Sequence, residues 1–528
     1  MTQAPLPVPT DVLAPLTELP EWKRFVVAAQ TCPSQTDGLD LVEAPGLTLD
    51  ASGQRHSSDL LAAGEALLRA RGFGEQRRRL LAGETVNVTE NRAAWHTVLR
   101  APTAPADVQA ERERMDAWVR RADAERRWRH IVHVGIGGSD WGVRLAVSAF
   151  GYAGTWRDVR FVANIDGHAI EGGLAGLDPR DTLVVLVSKS FTTSETLENG
   201  ARAREWLLAA GLDPAEHMAA VTAQPERARA WGIPDTQIFR LWDWVGGRFS
   251  VWSAVSLTTA LSVGADVLAG LRMGAAAMDT HFAQAPLSAN APVRMALAGI
   301  VNRSILGQGS LNIAPYDSRL ANLVPYVQQL DMESLGKSVD QAGRPVGVPT
   351  GPAVWGMPGT DAQHTFFQWM HQGSDGAPVD FILCSQADHH WAQHHRQLLA
   401  NCLAQREALM RGKTLAQARA ECLAEGLSPE QADWLAPHRA HPGGRPNHLI
   451  VLPRLSPYSL GALLALYEHR VFTQGVIWGI DPFDQWGVEY GKVLARGIVQ
   501  ALAPASGTVA QADAHDVSTC HWIRQLRG

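Results

Sequence analysis

The sequence has little cysteine, and no cysteine stands close to another. The five cysteines are far apart along the chain and form no C-x-x-C pair: Cys32, Cys384, Cys402, Cys422 and Cys520. A disulfide framework and a cysteine-based zinc site are therefore not indicated, and reduced thiols are typical of a cytoplasmic protein. We expect a cytoplasmic location.

Long hydrophobic runs are missing as well. Nowhere do about eighteen apolar residues follow one another, the length at which a transmembrane helix is indicated. The first residues, MTQAPLPVPTDVLAPL, lack the basic segment and apolar core of a signal peptide. The net charge of −6 offers no overall attraction for nucleic acid or anionic lipid. We expect neither nucleic acid nor a membrane as a partner.

What the sequence does contain is the alternation of a parallel α/β protein. Its 528 residues, 46% hydrophobic and 19% charged, predict roughly two to four globular domains. Between residues 129 and 241, the strand-like runs HIVHVG, VRFVANI, TLVVLVS, MAAVTA and TQIFRL alternate with helical patterns such as WGVRLAVSAF and SETLENGARAREWLLAAG. This alternation predicts one parallel sheet with crossover helices.

A second α/β unit is predicted from three later apolar runs separated by helical stretches. These runs are VDFILCS (379–385), HLIVLPR (448–454) and GVIWGID (475–481). The first hundred residues have mainly helical patterns, and a polar tail is predicted from residue 506 onward. Proline and glycine cluster between residues 341 and 359, which predicts a long functional loop.

The stretch VLVSKSFTTSETLENG places many hydroxyl groups where a strand gives way to a helix. The residues concerned are Ser188, Ser190, Thr192, Thr193, Ser194 and Thr196. Hydroxyls and free backbone N–H groups at the positive end of a helix dipole favour an anion site. A capping box between Thr192 and Glu195 explains the same residue types without a ligand. Both interpretations stay open at this point.

A glycine-rich turn, VGIGGSDWGVRL, follows another predicted strand. It lacks the third glycine of the dinucleotide motif, since Asp140 occupies that position, and it lacks the Gly-Lys-Ser/Thr of a Walker loop. Gly137 and Gly138 allow the backbone to approach a ligand closely, and Ser139 offers a hydrogen-bond donor.

Several polar residues stand in segments that also carry glycine or aromatic residues. They are Arg248 in WDWVGGRFSVWSA, Glu333 in QQLDMESLGKS, His364 in PGTDAQHTFFQ, and Gln485 and Lys492 in FDQWGVEYGK. Taken singly, each has an ordinary structural explanation as a surface, paired or helix-start residue.

The run DHHWAQHH places His390 and His394 at the spacing of two zinc ligands on a helix. No H-E-x-x-H glutamate lies between them, and the sequence offers no third ligand. We therefore predict no metal site here.

Together, these segments resemble the phosphoglucose isomerase family. The resemblance runs from NVTENRAAWHTVLR (87–100) through VGIGGSDWG, FVANIDGH, SKSFTTSET, WDWVGGRFSVWSA, QQLDMESLGKS, PGTDAQHTFFQWMHQG and HHRQLLANCLAQREALMRGKT to DQWGVEYGK. It implies an α/β fold of two SIS-type three-layer sandwich domains with parallel-rich central sheets, a helical N-terminal region and a C-terminal tail. The implied smaller domain spans 103–265, the larger one spans 1–102 and 266–505, and the tail spans 506–528.

The resemblance implies interconversion of glucose 6-phosphate and fructose 6-phosphate through a cis-enediol(ate), without a cofactor or metal. Glu333 is implied as the base that moves the proton between C1 and C2, and Arg248 as the cation that stabilises the intermediate. His364 and Lys492 are implied in ring opening. A homodimer is implied, in which His364 reaches the site of the other subunit.

The implied substrate-binding residues divide into a phosphate cradle and a sugar site. The cradle comprises Ser188, Ser190 and Thr193 with the backbone of Lys189. The residues at the sugar are Gly138, Ser139, Gly247, Gln329 and Gln485. Neutral hydroxyls suit a phosphate that must leave after each turnover, because uniformly tight binding does not accelerate the reaction.

The chain also departs from the family pattern. Ser190 replaces a typical threonine, Leu335 a typical asparagine, Met357 a typical glutamate, and Asp361-Ala362 a typical Asn-Gly. The last three changes flank Glu333 and His364 and bear on the groups that orient them.

Two other functions fit part of the pattern. A sugar-phosphate-sensing SIS protein would keep the phosphate turn, but the four catalytic residues and the lack of a basic DNA-reading domain argue against it. An isomerase for another sugar phosphate, such as mannose 6-phosphate, would keep all of these residues, so side activity of that kind stays open.

Overall fold

The computed structural model describes residues 13–34, 38–503 and 515–527. The chain divides into two compact units, residues 1–482 and residues 483–528. Across the described ranges, no helix combines the length and apolar composition needed to cross a membrane.

In the described ranges, thirteen strands form the sheets. In chain order they are β1 (Leu41–Ala44), β2 (Leu47–Asp50), β3 (Thr85–Asn87), β4 (Arg92–Ala93), β5 (His130–Val134), β6 (Asp158–Val162), β7 (Thr182–Val187), β8 (Met218–Thr222), β9 (Ile238–Arg240), β10 (Ser310–Tyr316), β11 (Ala353–Gly356), β12 (Val379–Cys384) and β13 (Asn447–Leu452).

The α-helices connect and cover these strands. They are α1 (Pro20–Thr31), α2 (Ser58–Ala70), α3 (Phe73–Ala82), α4 (Ala106–Ala124), α5 (Trp141–Phe150), α6 (Gly167–Leu174), α7 (Ser194–Ala209), α8 (Pro214–His217), α9 (Pro225–Ala230), α10 (Leu257–Val263), α11 (Ala265–Gln284), α12 (Ala291–Ile300), α13 (Leu323–Leu335), α14 (Gly359–Thr365), α15 (Phe367–Gln372), α16 (Ala392–Arg411), α17 (Leu415–Ala424), α18 (Pro429–Arg439), α19 (Pro457–Trp478), α20 (Glu489–Leu502) and α21 (Val517–Leu526).

The smaller sheet contains five parallel strands in the order β6-β5-β7-β8-β9. All five predicted strand runs between residues 129 and 241 are confirmed. Strands β7 and β8 are buried along their whole length, as expected for a parallel sheet with helices on both faces. The core on one face includes Val134, Leu186 and Leu207.

The larger sheet contains six strands in the order β1-β2-β13-β12-β10-β11. Strands β10 to β13 are parallel, whereas β2 and β1 add an antiparallel edge. The predicted α/β fold with parallel-rich sheets is therefore confirmed. This sheet takes strands from both sides of the stretch that forms the smaller sheet, and the division into domains at residues 103 and 265 stays a prediction.

The predicted strand at 475–481 is wrong, because Gly475 to Trp478 form the last turn of α19. Gly479, with φ of +74°, follows the helix in the left-handed conformation. Every residue of α19 from Ser459 to Trp478 is buried. A helix that is covered on all sides lacks an amphipathic period, so its apolar end is indistinguishable from a buried strand by pattern alone.

Other boundaries also differ from the sequence prediction. Four strands, β1 to β4, accompany the helices of the N-terminal region. The predicted loop at 341–359 includes β11, which forms the edge of the larger sheet. Of the predicted tail, residues 506–514 lie outside the described residues, and residues 517–526 form α21. In the second unit, α20 and α21 pack together through Ala501 and Ile523.

Candidate active site

The smaller sheet reverses its strand order between β5 and β7. The chain proceeds from β5 to β6 on one side and from β7 to β8 and β9 on the other. In open parallel sheets, ligands bind beyond the carboxyl ends of the strands at such a reversal point. The turn after β5 carries Gly137–Ser139, and the turn after β7 carries Ser188–Thr193. The fold therefore brings the two turns to neighbouring positions on one sheet edge.

The hydroxyl-rich turn after β7 is held by bonds among its own residues. The Ser188 and Thr193 hydroxyl oxygens are 3.0 Å apart, and those of Ser190 and Thr192 are 2.7 Å apart. Phe191 adopts a left-handed φ of +49° and is 3% exposed. Its ring packs into the core beneath the sheet and fixes the turn, in which Ser190 and Thr192 are exposed, Thr193 is half-buried and Ser188 is buried.

The capping-box interpretation of this turn is wrong. Helix α7 begins at Ser194 with Thr193 as its N-cap, and within the described chain no side chain bonds to its first N–H groups in the manner of a cap. The Glu195 carboxylate instead accepts a hydrogen bond of 2.9 Å from the Ser194 hydroxyl. The positive end of the α7 dipole therefore faces a group of hydroxyls, which is an arrangement suited to an anion.

The glycine-rich turn after β5 makes a backbone contact that requires glycine. A Cβ atom on Gly138 would lie 2.1 Å from the carbonyl carbon of Gly247, so any side chain would separate the two segments. The Ser250 hydroxyl donates to the Gly138 carbonyl oxygen at 3.1 Å. Beneath the turn, the buried His133 ring bonds to the Ser139 carbonyl oxygen at 2.7 Å. This contact places Gly247 and Arg248 next to the turn.

Arg248 and Glu333 form the charged centre of this region. The Arg248 Nη1 atom lies 3.3 Å from Glu333 Oε2, and Gln329 Nε2 donates to the same oxygen at 3.2 Å. Arg248 also donates from Nε to the Ser334 hydroxyl at 2.6 Å and from Nη2 to the Pro482 carbonyl at 2.7 Å. The arginine side chain is 1% exposed and the glutamate side chain 25%. The cation is thus fixed, while the carboxylate remains accessible.

Helix α13 explains why Gln329 and Glu333 act together. Residues four apart lie one above the other on a helix, so both side chains project from the same face. A Cβ atom on Gly137 would lie 3.0 Å from Gln329 Nε2, which places this face of α13 against the glycine-rich turn.

The other predicted catalytic and sugar-binding residues, His364, Lys492 and Gln485, belong to other elements of the chain. His364 is exposed on α14 and makes none of the bonds that join Arg248, Gln329 and Glu333 in the described ranges. Gln485 and Lys492 belong to the second unit, where Lys492 Nζ pairs with Glu489 at 2.7 Å. Their participation in the site stays a prediction.

Three of the positions that depart from the family pattern are packing positions here. Leu335 and Ala362 are fully buried, and Met357 packs against the apolar cluster that contains Ala362. Asp361 is exposed. Near His364, Gln363 donates to the Tyr316 hydroxyl at 3.0 Å. In this chain, Glu333 is oriented by Arg248 and Gln329, so its position does not depend on a polar group at 335.

Sequence reasoning missed two supporting contacts. The first is the hydrogen bond that Ser334 accepts from Arg248. In the sequence, only the position of Ser334 next to Glu333 indicated such a role. The Lys189 amino group donates to the carbonyls of Asp243 and Val245 at 2.6 and 2.9 Å, and burial lowers its pKa to about 8. This lysine therefore ties the hydroxyl turn to the segment that leads to Arg248.

The histidine run has a different geometry from the one that its spacing indicates. His390 precedes α16, which begins at Ala392, so His390 and His394 do not share a helix. Both rings lie near the Trp391 ring, with centroids 4.4 and 5.8 Å away. In the parts of the chain that the structure describes, no group of three or more His, Cys, Asp or Glu side chains is arranged to hold a metal.

The fold and this geometry define a class: an α/β protein with a small-molecule site at the switch point of a parallel sheet, where an anion-accepting turn lies near an arginine–carboxylate pair. Comparison with known proteins identifies the family within this class. The family model described as phosphoglucose isomerase matches residues 50–523, and the chain belongs to this family.

Relatives with the name glucose-6-phosphate isomerase align with nearly the whole chain. The protein of Bordetella pertussis is 53% identical over 518 residues, covering 97% of this chain and 99% of that protein. The protein of Caulobacter vibrioides is 44% identical, with 96% of each chain covered. The crystal structure of a glucose-6-phosphate isomerase from Chlamydia trachomatis superimposes with a TM-score of 0.83 at 29% identity, covering 95% of this chain and 98% of that one.

Proposed function

We propose that this protein is an aldose–ketose isomerase that interconverts D-glucose 6-phosphate and D-fructose 6-phosphate, a step of glycolysis and gluconeogenesis. The observation that carries the proposal is the accessible Glu333 carboxylate, paired at 3.3 Å with the buried Arg248 guanidinium at the edge where the two ligand-type turns meet. A base and a fixed cation side by side are what proton transfer through an enediolate requires.

The proton moves between adjacent carbons of the open-chain sugar. The Glu333 carboxylate removes the proton from C2 of the aldose and returns it to C1, acting as a general acid once it holds the proton. Negative charge develops on O1 of the cis-enediolate, and transfer of the O2 hydroxyl proton to O1 completes the conversion to the ketose. Arg248 stabilises this charge because guanidinium remains protonated at all physiological pH values and is already fixed by Ser334 and Pro482.

The substrate is held at its two ends. The hydroxyls of Ser188, Ser190 and Thr193 and the backbone of Lys189 bind the phosphate at the start of α7. Gly138, Ser139, Gly247, Gln329 and Gln485 contact the sugar. His364 opens the ring, with Lys492 near the ring oxygen. The reaction as proposed needs neither a metal nor a redox cofactor, since the proton is transferred by side chains alone.

A coupled assay tests the function directly. Purified protein is given glucose 6-phosphate or mannose 6-phosphate, and formation of fructose 6-phosphate is followed with a phosphofructokinase-based coupling system. We expect conversion of glucose 6-phosphate at a kcat/KM far above that for mannose 6-phosphate. Conversion of mannose 6-phosphate alone would favour the other isomerase, and binding of both without conversion would favour a sensing protein.

Removing one hydroxyl tests the phosphate turn. In Thr193→Val the β-branched shape is kept and only the hydroxyl is lost, which we expect to cost about 0.5–3 kcal/mol of binding, or roughly a two- to 150-fold loss of affinity. Calorimetric titration with 5-phosphoarabinonate, a phosphorylated mimic of the enediolate, measures this loss. Arabinonate, which lacks the phosphate, should bind both proteins poorly and scarcely distinguish them. An equal loss for both ligands would show that Thr193 supports the fold or the sugar instead.

We further propose a homodimer in which His364 completes the site of the other subunit. The exposure of His364 on α14 supports this arrangement, because an exposed imidazole is available to a second copy. Mixing the inactive variants Glu333→Gln and His364→Ala should restore part of the activity, since each hybrid dimer has one site with both residues intact. Hybrids that stay inactive, after mass spectrometry confirms subunit exchange, would disprove the shared site.

We also propose a cytoplasmic location. The five cysteines are buried as thiols, which suits a reducing compartment. Sugar phosphates of central metabolism are found in the same compartment.

A further inference from the structure

Three successive residues of the buried helix α19 carry titratable groups. They are Glu468, His469 and Arg470, and all three side chains are at most 4% exposed. Successive positions on a helix point about 100° apart, so these side chains reach three different neighbours. Buried ionisable groups are retained only with partners, and each of the three has one.

Two of these contacts lead to elements beside the candidate site. Glu468 accepts a hydrogen bond of 2.8 Å from Trp252 Nε1 and pairs with Arg100. Trp252 ends the short 3₁₀ segment Gly247–Trp252, which carries Arg248. Arg470 pairs with Asp331, which lies on α13, the helix that carries Glu333. The same rigid helix is thus joined to both sides of the Arg248–Glu333 pair.

Asp331 lies on the face of α13 that is turned away from the site. It is two residues, about 200°, from Glu333 around the helix, and it is completely buried. Arg470 Nη2 pairs with its carboxylate, while Arg470 Nη1 lies 3.6 Å from the Asp380 carboxylate on β12. On the side of α13 that faces away from the site, the ion pair therefore joins the C-terminal half of this helix to α19 and to the larger sheet.

The pair has few other protein partners. Asp331 and Arg470 line a cavity of about 30 Å³ together with His448 and Gln474. Asp331 Oδ1, Arg470 Nε, His448 Nε2 and Gln474 Oε1 are buried without a hydrogen-bond partner in the described chain. Burial raises the pKa of the Asp331 carboxyl to about 6, although Arg470 opposes the shift. At this point α13 is therefore held by the Asp331–Arg470 contact together with buried apolar residues of the helix such as Leu330 and Leu335.

We infer that Asp331 and Arg470 are positioning residues for the isomerisation: their ion pair sets the position of α13 and thereby the distance of Glu333 from Arg248 and from the substrate. The inference rests on the proposed function. Displacement of a catalytic group by about 1 Å can lower the rate about 100-fold. A buried contact that sets the position of α13, the helix that carries Glu333, therefore affects turnover without touching the substrate.

The test compares two buried aspartates, each of which pairs with an arginine. Asp331→Asn keeps the shape and removes the charge opposite Arg470. The matched control, Asp50→Asn, does the same opposite Arg406, whose Nη2 lies 2.9 Å from Asp50 Oδ1; Asp50 is on β2, which carries none of the proposed site residues. We expect kcat of Asp331→Asn to fall about 10- to 100-fold with KM changed by less than about threefold. The control should keep kcat within about threefold of the wild type.

A second variant covers the case in which Asp331→Asn does not fold. Arg470→Lys keeps the charge but replaces the planar fork, which reaches both Asp331 and Asp380, with a point charge. We expect a smaller fall in kcat, about three- to tenfold, again at nearly constant KM. Thermal unfolding and circular dichroism establish that each variant is folded at the assay temperature.

A spectroscopic readout separates this inference from the proposed function. In protein labelled with ¹³C at the glutamate carboxyls, the Glu333 resonance is identified by its loss in Glu333→Gln. We expect it to move in Asp331→Asn and to stay unchanged in Asp50→Asn. Folded Asp331→Asn with wild-type kcat and an unmoved Glu333 resonance would overturn the inference alone. A wild-type protein without isomerase activity would overturn the proposed function, and the resonance would still decide whether Asp331 positions Glu333.

Discussion

Replacing Glu333 with glutamine is expected to lower turnover by about 10²- to 10⁴-fold while leaving substrate binding nearly intact. The amide keeps an oxygen that Arg248 and Gln329 can still bond, at the 3.3 and 3.2 Å contacts of the carboxylate, so the geometry survives. An amide, however, cannot accept the proton from carbon, so the variant loses the base. The same group serves both proton transfers, which places the effect toward the upper end of that range.

Exchange of the C2 hydrogen with deuterated water measures this step directly. In Glu333→Gln, exchange should fall together with kcat, whereas calorimetric binding of 5-phosphoarabinonate should change little. Glu205→Gln is a suitable control, because Glu205 is an exposed glutamate that pairs with Arg202 on the surface of α7. Normal exchange in Glu333→Gln would mean that another group is the base.

Replacing Arg248 with methionine is expected to lower kcat/KM by about 10²- to 10³-fold, the typical cost of losing one donor to a developing oxyanion. Methionine resembles arginine in its apolar stem but cannot donate to Glu333, Ser334 or the enediolate oxygen. The cation is 1% exposed, so it acts where solvent does little to screen it, and its loss has a large effect.

Two ligands distinguish the loss of charge stabilisation from a general loss of binding. Affinity for 5-phosphoarabinonate, which carries a negative charge where the enediolate does, should fall much more than affinity for glucitol 6-phosphate, which is neutral there. Arg248→Lys should lie between the wild type and Arg248→Met, because lysine keeps the charge but not the fork geometry. Equal losses for both ligands would show that Arg248 only supports the site. Circular dichroism must show that each variant is folded, since Arg248 also bonds to Pro482.

Much of the smaller sheet could be predicted from local pattern. Its strands are short β-branched runs between helices with clear periodicity, and such runs carry their own signal. The turn after β7 was predicted as either an anion site or a capping box. The structure decides between the two because α7 begins at Ser194, so that Thr193 and not Thr192 is the N-cap. Residue patterns do not define a helix boundary to within one residue.

The larger sheet was less predictable. Strands β12 and β13 follow from their apolar runs, but β1, β2, β10 and β11 were missed, and the end of α19 was taken for a strand. Strands at a sheet edge owe their conformation to the partner beside them, as Ala353 to Gly356 do to β10. A helix buried on every side has no polar face to mark its period.

The amino-acid sequence by itself determined the parallel α/β character, the residue types at the two ligand-type turns, and membership of a family through motifs that span most of the chain. These properties depend on neighbours in sequence. The tertiary structure alone decided that Glu333 meets Arg248, that Gly138 must be a glycine because Gly247 lies against it, and that Asp331 is held from behind by Arg470. Those contacts join residues that are 85 to 139 positions apart in the sequence. Local residue patterns carry no information on such contacts, because they form only when the segments pack together in the folded chain.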